Sequence, residues 1–387
     1  MIHNKIDQST LGTTYSVCEQ CRKLIPAKIV CDEQDVYFVK FCPDHGESRS
    51  FVRSNVEEYL AAYHYLKPAW VPESFEGNST LGCPDGCGFC EHHEQHLCMP
   101  IIEITSRCNL ACPVCINASG ESASCRDMTL DEFCSVLDKI MIAEKQIDVL
   151  NLSGGEPFLH PEVLDIIDAA LSRPEIARVS ISTNGLLLLK DNNLLKELKK
   201  RNVVISLQMD GFDDRIYQAL RGRPLLQEKR DILKKLKDLQ SPTSLIMTVA
   251  GGINDDQFPE MLDYLFANDH IISFMIQPVA FTGRGAGMKD KAKRITIPDV
   301  TRLLGEAGNS FVKAEDFVPL PCSHPLCFSL AFYLMLDSGQ AVSVNKLVDA
   351  ATMMDSISNR VIFGLDVEEY SRLKEMIYEL WSGPKGA

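Results

Sequence analysis

Apolar and polar positions follow two different patterns along the 387-residue chain. Near the amino terminus, the segment DVYFVKF (35–41) alternates at every second position, which is typical of a strand with one buried face. From residue 101 onward, short apolar runs alternate with stretches whose apolar residues recur every three or four positions, as in parallel α/β units. The pattern therefore predicts a small β-containing region followed by a larger α/β region.

The larger region contains predicted strands that are separated by amphipathic helices. The strands are predicted at 101–106, 147–153, 177–183, 203–208, 244–249 and 272–278. The helices between them are predicted at 130–145, 161–172, 194–201, 228–239 and 258–269. Right-handed crossovers would roll these units into a partial (β/α)6 barrel of the TIM type, with its chemistry at the carboxyl ends of the strands.

Composition excludes several classes of protein. Hydrophobic residues make up 45% of the chain, which supports a sizeable core, and the net charge of -14 gives no general attraction to nucleic acid. The chain has no apolar run long enough to span a membrane, and MIHNKIDQST lacks the basic and apolar stretches of a secretory signal. We expect a cytoplasmic protein, in which 15 cysteines favour metal or cluster ligation over disulfides.

The first group of cysteines flanks the predicted strand of the amino-terminal region. Two short motifs, CEQC and CPDH, would present four soft ligands, as in a ribbon or rubredoxin-like site. The ligands are Cys18, Cys21, Cys42 and His45. Such a tetrahedral set suits zinc or a single iron, and the sequence does not separate the two.

The second group, CPDGCGFCEHHEQHLC, contains two glycines that let the backbone wrap closely around an inorganic core. Its thiols belong to Cys83, Cys87, Cys90 and Cys98. These four thiols could saturate one auxiliary [4Fe-4S] cluster. The alternative is a second zinc site, in which one of the histidines replaces a thiol. Those histidines are His92, His93 and His96.

The third group places Cys108, Cys112 and Cys115 directly after the first strand of the α/β region. Disulfide frameworks prefer even numbers of cysteines, and structural zinc sites close with four ligands. A C-x3-C-x2-C triplet fits neither habit. It does fit an iron-sulfur cluster with one open iron, at the strand edge where a barrel places its chemistry.

Glycine-containing motifs follow the next three strands at the same predicted edge. SGGEP (153–157) ends the second strand, STNG (182–185) the third and QMDG (208–211) the fourth. Glycines at a strand end let a bound ligand approach the backbone donors and acceptors. Together with the thiol triplet, the three motifs indicate one ligand site along this edge.

The triplet, GGEP and STNG together resemble the core of the radical S-adenosylmethionine (SAM) enzymes over about residues 100–285. The resemblance implies that the three thiolates hold three irons of a catalytic [4Fe-4S] cluster and leave the fourth iron to SAM. Reduction of the cluster would then cleave SAM to methionine and a 5'-deoxyadenosyl radical, which abstracts hydrogen from an unactivated C–H bond. A partner such as ferredoxin or flavodoxin is expected to supply the electron.

The same resemblance assigns residues to SAM. The methionine amino group would be met by Gly154, Gly155 and Glu156. The carboxylate or the ribose would be met by Ser182, Asn184, Ser206 and Gln208. Arg221 could pair with the carboxylate through two parallel hydrogen bonds. From the pattern alone, each polar residue could instead be a turn or cap residue.

The succession of ribbon, cysteine-rich linker, CNLACPVC and PCSHPLC resembles the tetraether synthase type of radical SAM protein, which joins lipid chain ends. The resemblance implies an enzyme that forms carbon–carbon bonds between lipid hydrocarbon chains. An apolar hairpin predicted at 328–344 and a basic run at 289–294 are compatible with a lipid substrate and with peripheral membrane contact. A second auxiliary cluster would draw on Cys322 and Cys327, with Cys125 or His324 completing the set.

We therefore expect four parts: a metal ribbon (1–60), a cysteine-rich linker (61–99), the barrel (100–285) and a carboxyl-terminal α+β extension over the barrel mouth (286–387). Two radical SAM alternatives stay open. A methyltransferase acting on a pterin-like cofactor would yield S-adenosylhomocysteine as well as 5'-deoxyadenosine, and a peptide-modifying enzyme would be expected to carry a leader-binding region. A plain electron carrier would have no reason to keep GGEP and STNG.

Overall fold

The structure is a computed structural model that describes residues 9–65, 71–75, 97, 99–120, 125–320, 324–336 and 338–347. Some of the predicted ligands fall outside the described residues, namely Cys83, Cys87, Cys90, Cys98 and Cys322, and so do the three histidines of the second group. Across the described ranges, no helix combines the length and the apolar character needed to cross a membrane.

The amino-terminal ribbon is an antiparallel sheet whose strands follow one another in sequence order. Its strands are β1 (Ser9–Val17), β2 (Leu24–Asp32), β3 (Asp35–Cys42) and β4 (Gly46–Arg53). The β1–β2 turn carries the first cysteine motif, and the β3–β4 turn carries the second. Because alternate turns of an antiparallel meander lie at the same end of the sheet, the fold itself brings the two motifs together.

The larger region is built on six parallel strands whose order in the sheet is the order in the sequence. They are β5 (Ile101–Thr105), β6 (Leu150–Gly154), β7 (Val179–Thr183), β8 (Val204–Gln208), β9 (Thr243–Val249) and β10 (Ile271–Pro278). Every predicted strand is present, with its ends displaced by no more than a few residues. The predicted fold class, an α/β partial (β/α)6 barrel preceded by a metal-binding ribbon, is confirmed.

The strands are apolar runs because both faces of the sheet are covered. Fully buried strand residues include Leu150, Leu152, Ile181, Ile205, Leu207 and Leu245. The helices that cover the sheet are α2 (Leu130–Ala143), α3 (Val163–Leu171), α4 (Leu186–Lys190), α5 (Asn192–Lys200), α6 (Asp214–Arg221), α7 (Leu226–Asp238) and α8 (Phe258–Phe266). The sequence predicted α2, α3, α5, α7 and α8, whereas the shorter α4 and α6 were missed.

Helix α2 follows the loop of the three cysteines and begins at a capping box. The Thr129 hydroxyl accepts the backbone N–H of Glu132, and the Glu132 carboxylate accepts the backbone N–H of Thr129. Two of the unpaired donors at the helix start are thereby satisfied. The cap fixes the point at which the chain leaves the strand edge and returns along the outside of the barrel.

Helix α1 (Val56–Ala62) follows the ribbon. The elements after the barrel are short and belong to the predicted α+β extension. They are α9 (Ile297–Glu306), β11 (Val318–Pro319), β12 (Ser329–Leu330), β13 (Tyr333–Met335) and β14 (Ala341–Ser343). The apolar hairpin predicted at 328–344 is present as the antiparallel pair β13 and β14. Leu334, Met335 and Leu336 at its tip are between 38% and 49% exposed.

The far end of the ribbon is attached to the segment after β10. The Ser54 and Thr296 hydroxyls lie 2.9 Å apart. The Arg294 guanidinium donates to the Phe51 carbonyl at 2.7 Å and lies over the ring of the same residue. These contacts hold the ribbon against the chain that leaves the barrel.

Candidate functional site

The ribbon brings its four predicted ligands together. The ligand atoms of Cys18, Cys21, Cys42 and His45 all lie within 4.8 Å of one another. The Cys21 and Cys42 sulfurs are 3.8 Å apart, and the His45 Nδ1 lies 3.6 Å from the Cys18 sulfur and 3.5 Å from the Cys42 sulfur. A zinc–sulfur bond of about 2.3 Å gives a tetrahedron whose S···S edge is about 3.8 Å. The donor set therefore fits one tetrahedral ion.

Charged residues stabilise the two metal-binding turns of the ribbon. The Lys40 side chain is almost fully buried, and its ammonium donates to the Val17 carbonyl at 3.2 Å. Lys23 in the first turn pairs with Asp44 in the second at 2.7 Å. Backbone N–H groups of the first turn lower the pKa of Cys18 to about 6, which favours the thiolate that a metal requires.

The loop of the three cysteines leaves the carboxyl end of β5, as predicted. Cys108, Cys112 and Cys115 are all half-buried free thiols. Burial raises the pKa of Cys108 to about 11, so iron would have to displace a proton there.

The cysteine loop is braced by the chain that follows the last strand of the barrel. The backbone N–H of Arg284 donates to the Cys115 carbonyl at 2.9 Å. The Arg284 Nε donates to the Cys112 carbonyl, also at 2.9 Å. Val114, which lies between these two cysteines, is buried in a small apolar cluster with Leu220 and Val279. The loop is therefore held both by the packing of Val114 and by the hydrogen bonds from Arg284.

The two glycines of SGGEP permit close packing against the start of the cysteine loop. Gly154 has a positive φ of 128°, and a Cβ at that position would lie 2.1 Å from the Thr105 carbonyl oxygen. A Cβ on Gly155 would lie 2.0 Å from the Arg107 carbonyl oxygen. The N–H of Gly155 donates to Thr105, and the N–H of Glu156 to Arg107, both at 2.7 Å. These N–H groups hold the GGEP turn against the cysteine loop, and the role of the three residues in meeting the SAM amino group stays a prediction.

Glu156 points into the protein and joins two strand ends. Its carboxylate accepts the Thr183 hydroxyl at 2.6 Å and the Asn184 backbone N–H at 2.8 Å. The residue is only 1% exposed, and burial raises the pKa of its carboxyl group. The structure thus gives this carboxylate a positioning role for the STNG turn.

Arg221 pairs with a carboxylate of the protein itself. Its Nε donates to Asp210 at 2.6 Å, and its Nη2 donates to the other Asp210 oxygen at 2.8 Å and to the Thr248 hydroxyl at 2.9 Å. Burial lowers the pKa of Arg221, but Asp210 and the Cys112 thiol outweigh it, and the pKa is raised overall. Arg221 thus makes a bidentate pairing with Asp210, and its pairing with a SAM carboxylate stays a prediction.

The other residues assigned to SAM lie along the same edge. Ser206 is buried and its hydroxyl lies 2.6 Å from that of Ser180. Ser182 donates to the Asn151 side chain at 3.0 Å. Asn184 is half-buried, and its side-chain amide donates to Asn109 of the cysteine loop at 2.7 Å. Asn184 thus joins the third strand end directly to the loop of the three thiols.

Gln208 ends β8 and contacts a lysine that the sequence analysis did not single out. Lys229 of α7 is fully buried, and its ammonium donates to the Gln208 side-chain oxygen, the Gln208 carbonyl and the Asn184 carbonyl, each at 2.7 Å. The Gln208 amide nitrogen donates to Asp210. Burial lowers the pKa of Lys229 to about 7, against the opposing charge of Asp210.

The two described thiols assigned to a second auxiliary cluster lie in different places. The Cys125 thiol donates to the Gly120 carbonyl at 2.7 Å, beside the cysteine loop. Cys327 is exposed in the segment after β11, where the Arg53 guanidinium of the ribbon reaches the neighbouring Leu326 carbonyl at 3.5 Å. Their participation in a cluster stays a prediction.

Two family models match the chain. The model described as "Radical SAM superfamily" matches residues 102–265, which contain β5 to α8 and the three thiols of the loop. The model described as "HMPTM N-terminal zinc ribbon domain" matches residues 10–54, which contain the four-stranded ribbon and its ligand set. The two matches correspond to the two regions that the hydrophobic pattern separates.

Among curated proteins, the 7,8-dihydro-6-hydroxymethylpterin dimethyltransferase of Methanocaldococcus jannaschii is 26% identical over 373 residues, covering 90% of this chain and 73% of that protein. A probable GTP 3',8-cyclase of Methanosarcina mazei is 32% identical over 171 residues. That match covers 42% of this chain and about half, 49%, of the cyclase. The first similarity therefore covers most of this chain, whereas the second covers less than half of it.

Among solved structures, SuiB of Streptococcus suis bound to S-adenosylmethionine matches with a TM-score of 0.44 and 17% identity. The match covers 53% of this chain and 45% of that one. Both family matches agree with the site geometry. The thiol loop and the GGEP and STNG motifs all lie at the carboxyl edge of the sheet within the radical SAM match. The chain contains a radical SAM domain over residues 102–265, preceded by an N-terminal zinc ribbon over residues 10–54.

Proposed function

We propose that this radical SAM enzyme is a methyltransferase that acts on a pterin or a similar small heterocycle. The observation that carries the proposal is the extent of the similarity to the pterin dimethyltransferase, which covers 90% of this chain. The ribbon adds to it, because its family model is a zinc ribbon of the HMPTM type. This function is one of the two alternatives that the sequence leaves open beside lipid coupling.

The polar character of the barrel edge supports a heterocyclic substrate. Asn109 after β5 and Thr248 near the end of β9 present an amide and a hydroxyl group at this edge, and both are half-buried. A pterin ring carries several hydrogen-bond donors and acceptors in one plane. Polar groups placed at a largely preformed site can orient such a ring, whereas a methylene chain offers them nothing to bind.

We assign the catalytic [4Fe-4S] cluster to Cys108, Cys112 and Cys115, and SAM to the adjoining strand ends at Asn184 and Gln208. When bound, the cluster and SAM supply a 5'-deoxyadenosyl radical. The protein's own part is to hold the thiolates, to orient SAM and substrate, and to exclude water. In the overall reaction, C–H and two SAM molecules take up two electrons and become C–CH3, 5'-deoxyadenosine, methionine and S-adenosylhomocysteine.

The proposal is tested with anaerobically reconstituted full-length protein, 7,8-dihydro-6-hydroxymethylpterin as the probe, a reductant, and SAM with a deuterated methyl group. Mass spectrometry should show a pterin in which CD3 replaces hydrogen, with 5'-deoxyadenosine and S-adenosylhomocysteine in the same reaction. A methylated pterin without deuterium would identify another methyl donor. If SAM is cleaved but the pterin is unchanged, the assignment of a pterin as the substrate is wrong.

Coupling of lipid hydrocarbon chains is the second candidate, and one observation favours it. The hairpin of β13 and β14 exposes Leu334, Met335 and Leu336, which a lipid chain could contact. Forming one carbon–carbon bond between two saturated chain ends removes two hydrogen atoms and would use two SAM molecules. A lipid product lighter by two hydrogens, with two molecules of 5'-deoxyadenosine and no S-adenosylhomocysteine, would favour coupling over methyl transfer.

Several narrower assignments belong to the same proposal. We propose zinc as the ribbon ion, one or two auxiliary clusters, a ferredoxin or flavodoxin as the reducing partner, and a cytoplasmic location with peripheral membrane contact only if the substrate is a lipid. Quantifying zinc, iron and sulfide per chain tests the first two. Iron in the ribbon would contradict the assignment of zinc. Iron and sulfide for a single cluster would contradict the presence of auxiliary clusters.

A further inference from the structure

Lys229 is a buried cation for which the proposed chemistry has no direct use. It is fully buried in α7, and each of its three ammonium protons has an acceptor at 2.7 Å. Two of these acceptors belong to Gln208 at the end of β8, and one is the Asn184 carbonyl at the end of β7. The ammonium therefore joins two neighbouring strand ends from beneath.

We propose that Lys229 is a positioning residue for SAM, which sets the spacing of the β7 and β8 carboxyl ends and the orientation of Asn184 and Gln208. The inference rests on the proposed assignment of SAM to this edge. It does not depend on which substrate the enzyme methylates or couples. Lys229 itself is fully buried, so it acts through Asn184 and Gln208.

A buried ammonium is costly unless opposite charges and hydrogen bonds compensate it, so its presence here requires an explanation. Asp210 and Glu156 supply the negative charge, and Arg221 supplies a second positive charge close by. Both carboxylates and Lys229 are at most 1% exposed. Two basic and two acidic side chains thus lie together beneath the strand edge.

Hydrogen bonds connect Lys229 to the thiol loop in both directions. On one side, Gln208 donates to Asp210, and Asp210 is held by Arg221, which also interacts with the Cys112 thiol. On the other side, the side chain of Asn184 donates to Asn109 within the loop. A side chain that only filled space would need no such contacts. Lys229 hydrogen-bonds to Gln208 and to Asn184, the residues from which the two series of contacts start.

The chain offers a matched control on the same helix. Lys235 also reaches inward from α7 and donates to the Leu189 carbonyl at 2.5 Å and to the Asn192 side chain at 2.8 Å. Its acceptors lie on α4 and α5, away from the strand ends. Replacing Lys235 therefore removes a comparable set of bonds without changing the proposed SAM edge.

The experiment compares Lys229→Met, Lys229→Arg and Lys235→Met as full-length, cluster-loaded proteins. SAM binding is measured from the change that SAM causes in the electron paramagnetic resonance spectrum of the reduced cluster. Hydrogen exchange at 182–186 and 206–212 is measured in the same proteins without SAM. Iron content and the unfolding midpoint are recorded to separate local from global effects.

We expect Lys229→Met to weaken SAM binding by about tenfold or more, because the strand ends that hold SAM lose three hydrogen bonds from one charged donor. Exchange at the two strand ends should accelerate while iron content stays within the control range. Lys229→Arg should recover part of the affinity, and Lys235→Met should leave it unchanged.

Three outcomes would overturn the proposal: wild-type SAM affinity in Lys229→Met, equal losses in Lys229→Met and Lys235→Met, or unchanged exchange at the strand ends. If Lys229→Met does not fold, Lys229→Arg decides, because a guanidinium keeps the charge but cannot reproduce the three short bonds. Failure of the methyltransferase assignment would show instead as normal SAM binding in the wild-type protein without a methylated pterin.

Discussion

Arg284 and Cys112 are 172 positions apart in the chain, yet the arginine side chain donates to the cysteine carbonyl at 2.9 Å. The backbone of Arg284 holds the Cys115 carbonyl in the same way. The loop that carries the three thiols therefore depends on the segment that follows the last strand of the barrel. Both ends of the α/β region meet at the cysteine loop.

Replacing Arg284 with glutamine should loosen the cysteine loop without unfolding the barrel. The Cys112 carbonyl would lose a charged donor, a contribution of about 1.5–3 kcal/mol. We expect a reconstituted cluster to lose iron to a chelator about tenfold faster, as followed by the decay of its visible absorption. Arg302→Gln is the control, because Arg302 pairs with Glu306 on the exposed side of α9. Equal decay rates in both variants would contradict the role given to Arg284.

Replacing Cys18 with serine should remove one metal ion per chain and lower the stability of the ribbon alone. The remaining three ligands cannot close a tetrahedral site, and such sites contribute directly to the folding energy of small domains. Metal analysis should show loss of zinc with unchanged iron and sulfide. The control is Cys31→Ser, because the Cys31 thiol is buried but bonds the Glu33 carbonyl outside the ligand set. Full metal content in Cys18→Ser would refute the ligand set.

Replacing Glu156 with glutamine should destabilise the protein by about 1–3 kcal/mol, although the side chain keeps its size. One carboxylate oxygen accepts the Thr183 hydroxyl and the other the Asn184 N–H, so an amide nitrogen would face a donor. We expect a lower midpoint in urea and weaker SAM binding through the displaced Asn184. The surface variant Glu306→Gln serves as the comparison. Unchanged stability in Glu156→Gln would show that its two hydrogen bonds are not needed.

His270 should make the protein less stable in mild acid. Its ring is 4% exposed, and neither ring nitrogen has a hydrogen-bond partner among the described residues. Burial lowers the pKa of His270, with Lys237 acting in the same direction and Asp269 opposing it. An unfolded chain takes up a proton near pH 6.5. The folded chain does so only at lower pH, so the free energy of unfolding should fall as the pH drops below about 6.5.

The measurement is urea unfolding between pH 7.5 and 5 for the wild type and for His270→Phe, which cannot titrate. The variant should show a flatter pH dependence over this window, since one proton-linked term is removed. His64→Phe is the control, because His64 lies exposed in the turn after α1. If the two variants respond to pH alike, burial of His270 has no measurable effect on stability.

Local patterns were sufficient to predict the barrel strands, the ribbon ligand set and the place of the thiol loop. Each depends on residues close together in sequence: an apolar run, a C-x2-C motif, or a triplet directly after a strand. The sequence also identified the glycines at the strand ends. It did not predict the close backbone contacts that require glycine there. Gly154 and Gly155 are required by backbone carbonyls of the preceding β5 segment, a contact that exists only once β5 and β6 are paired.

Residues that act across the fold were missed or given other partners. The pairing of Arg221 with Asp210 was not predicted, because it depends on how the fold places the two side chains. Arg284 lies in a glycine-containing segment without any periodic signal. Lys229 could have been found, because it occupies the same helical stripe as Ile232, Leu233 and Leu236, all of which are buried. A lysine on an apolar stripe is the signal for a buried charge.

The sequential order of the six strands has a consequence for synthesis of the protein. Each strand pairs with the one made just before it, so the sheet can grow from β5 to β10 as the chain emerges from the ribosome. The thiol loop is made first, but Arg284 follows Cys112 by 172 residues. At typical translation rates that interval is on the order of ten to thirty seconds. During this time the three nascent thiols are present without their brace, which makes it the period in which a cluster can be delivered to them or oxygen can reach them.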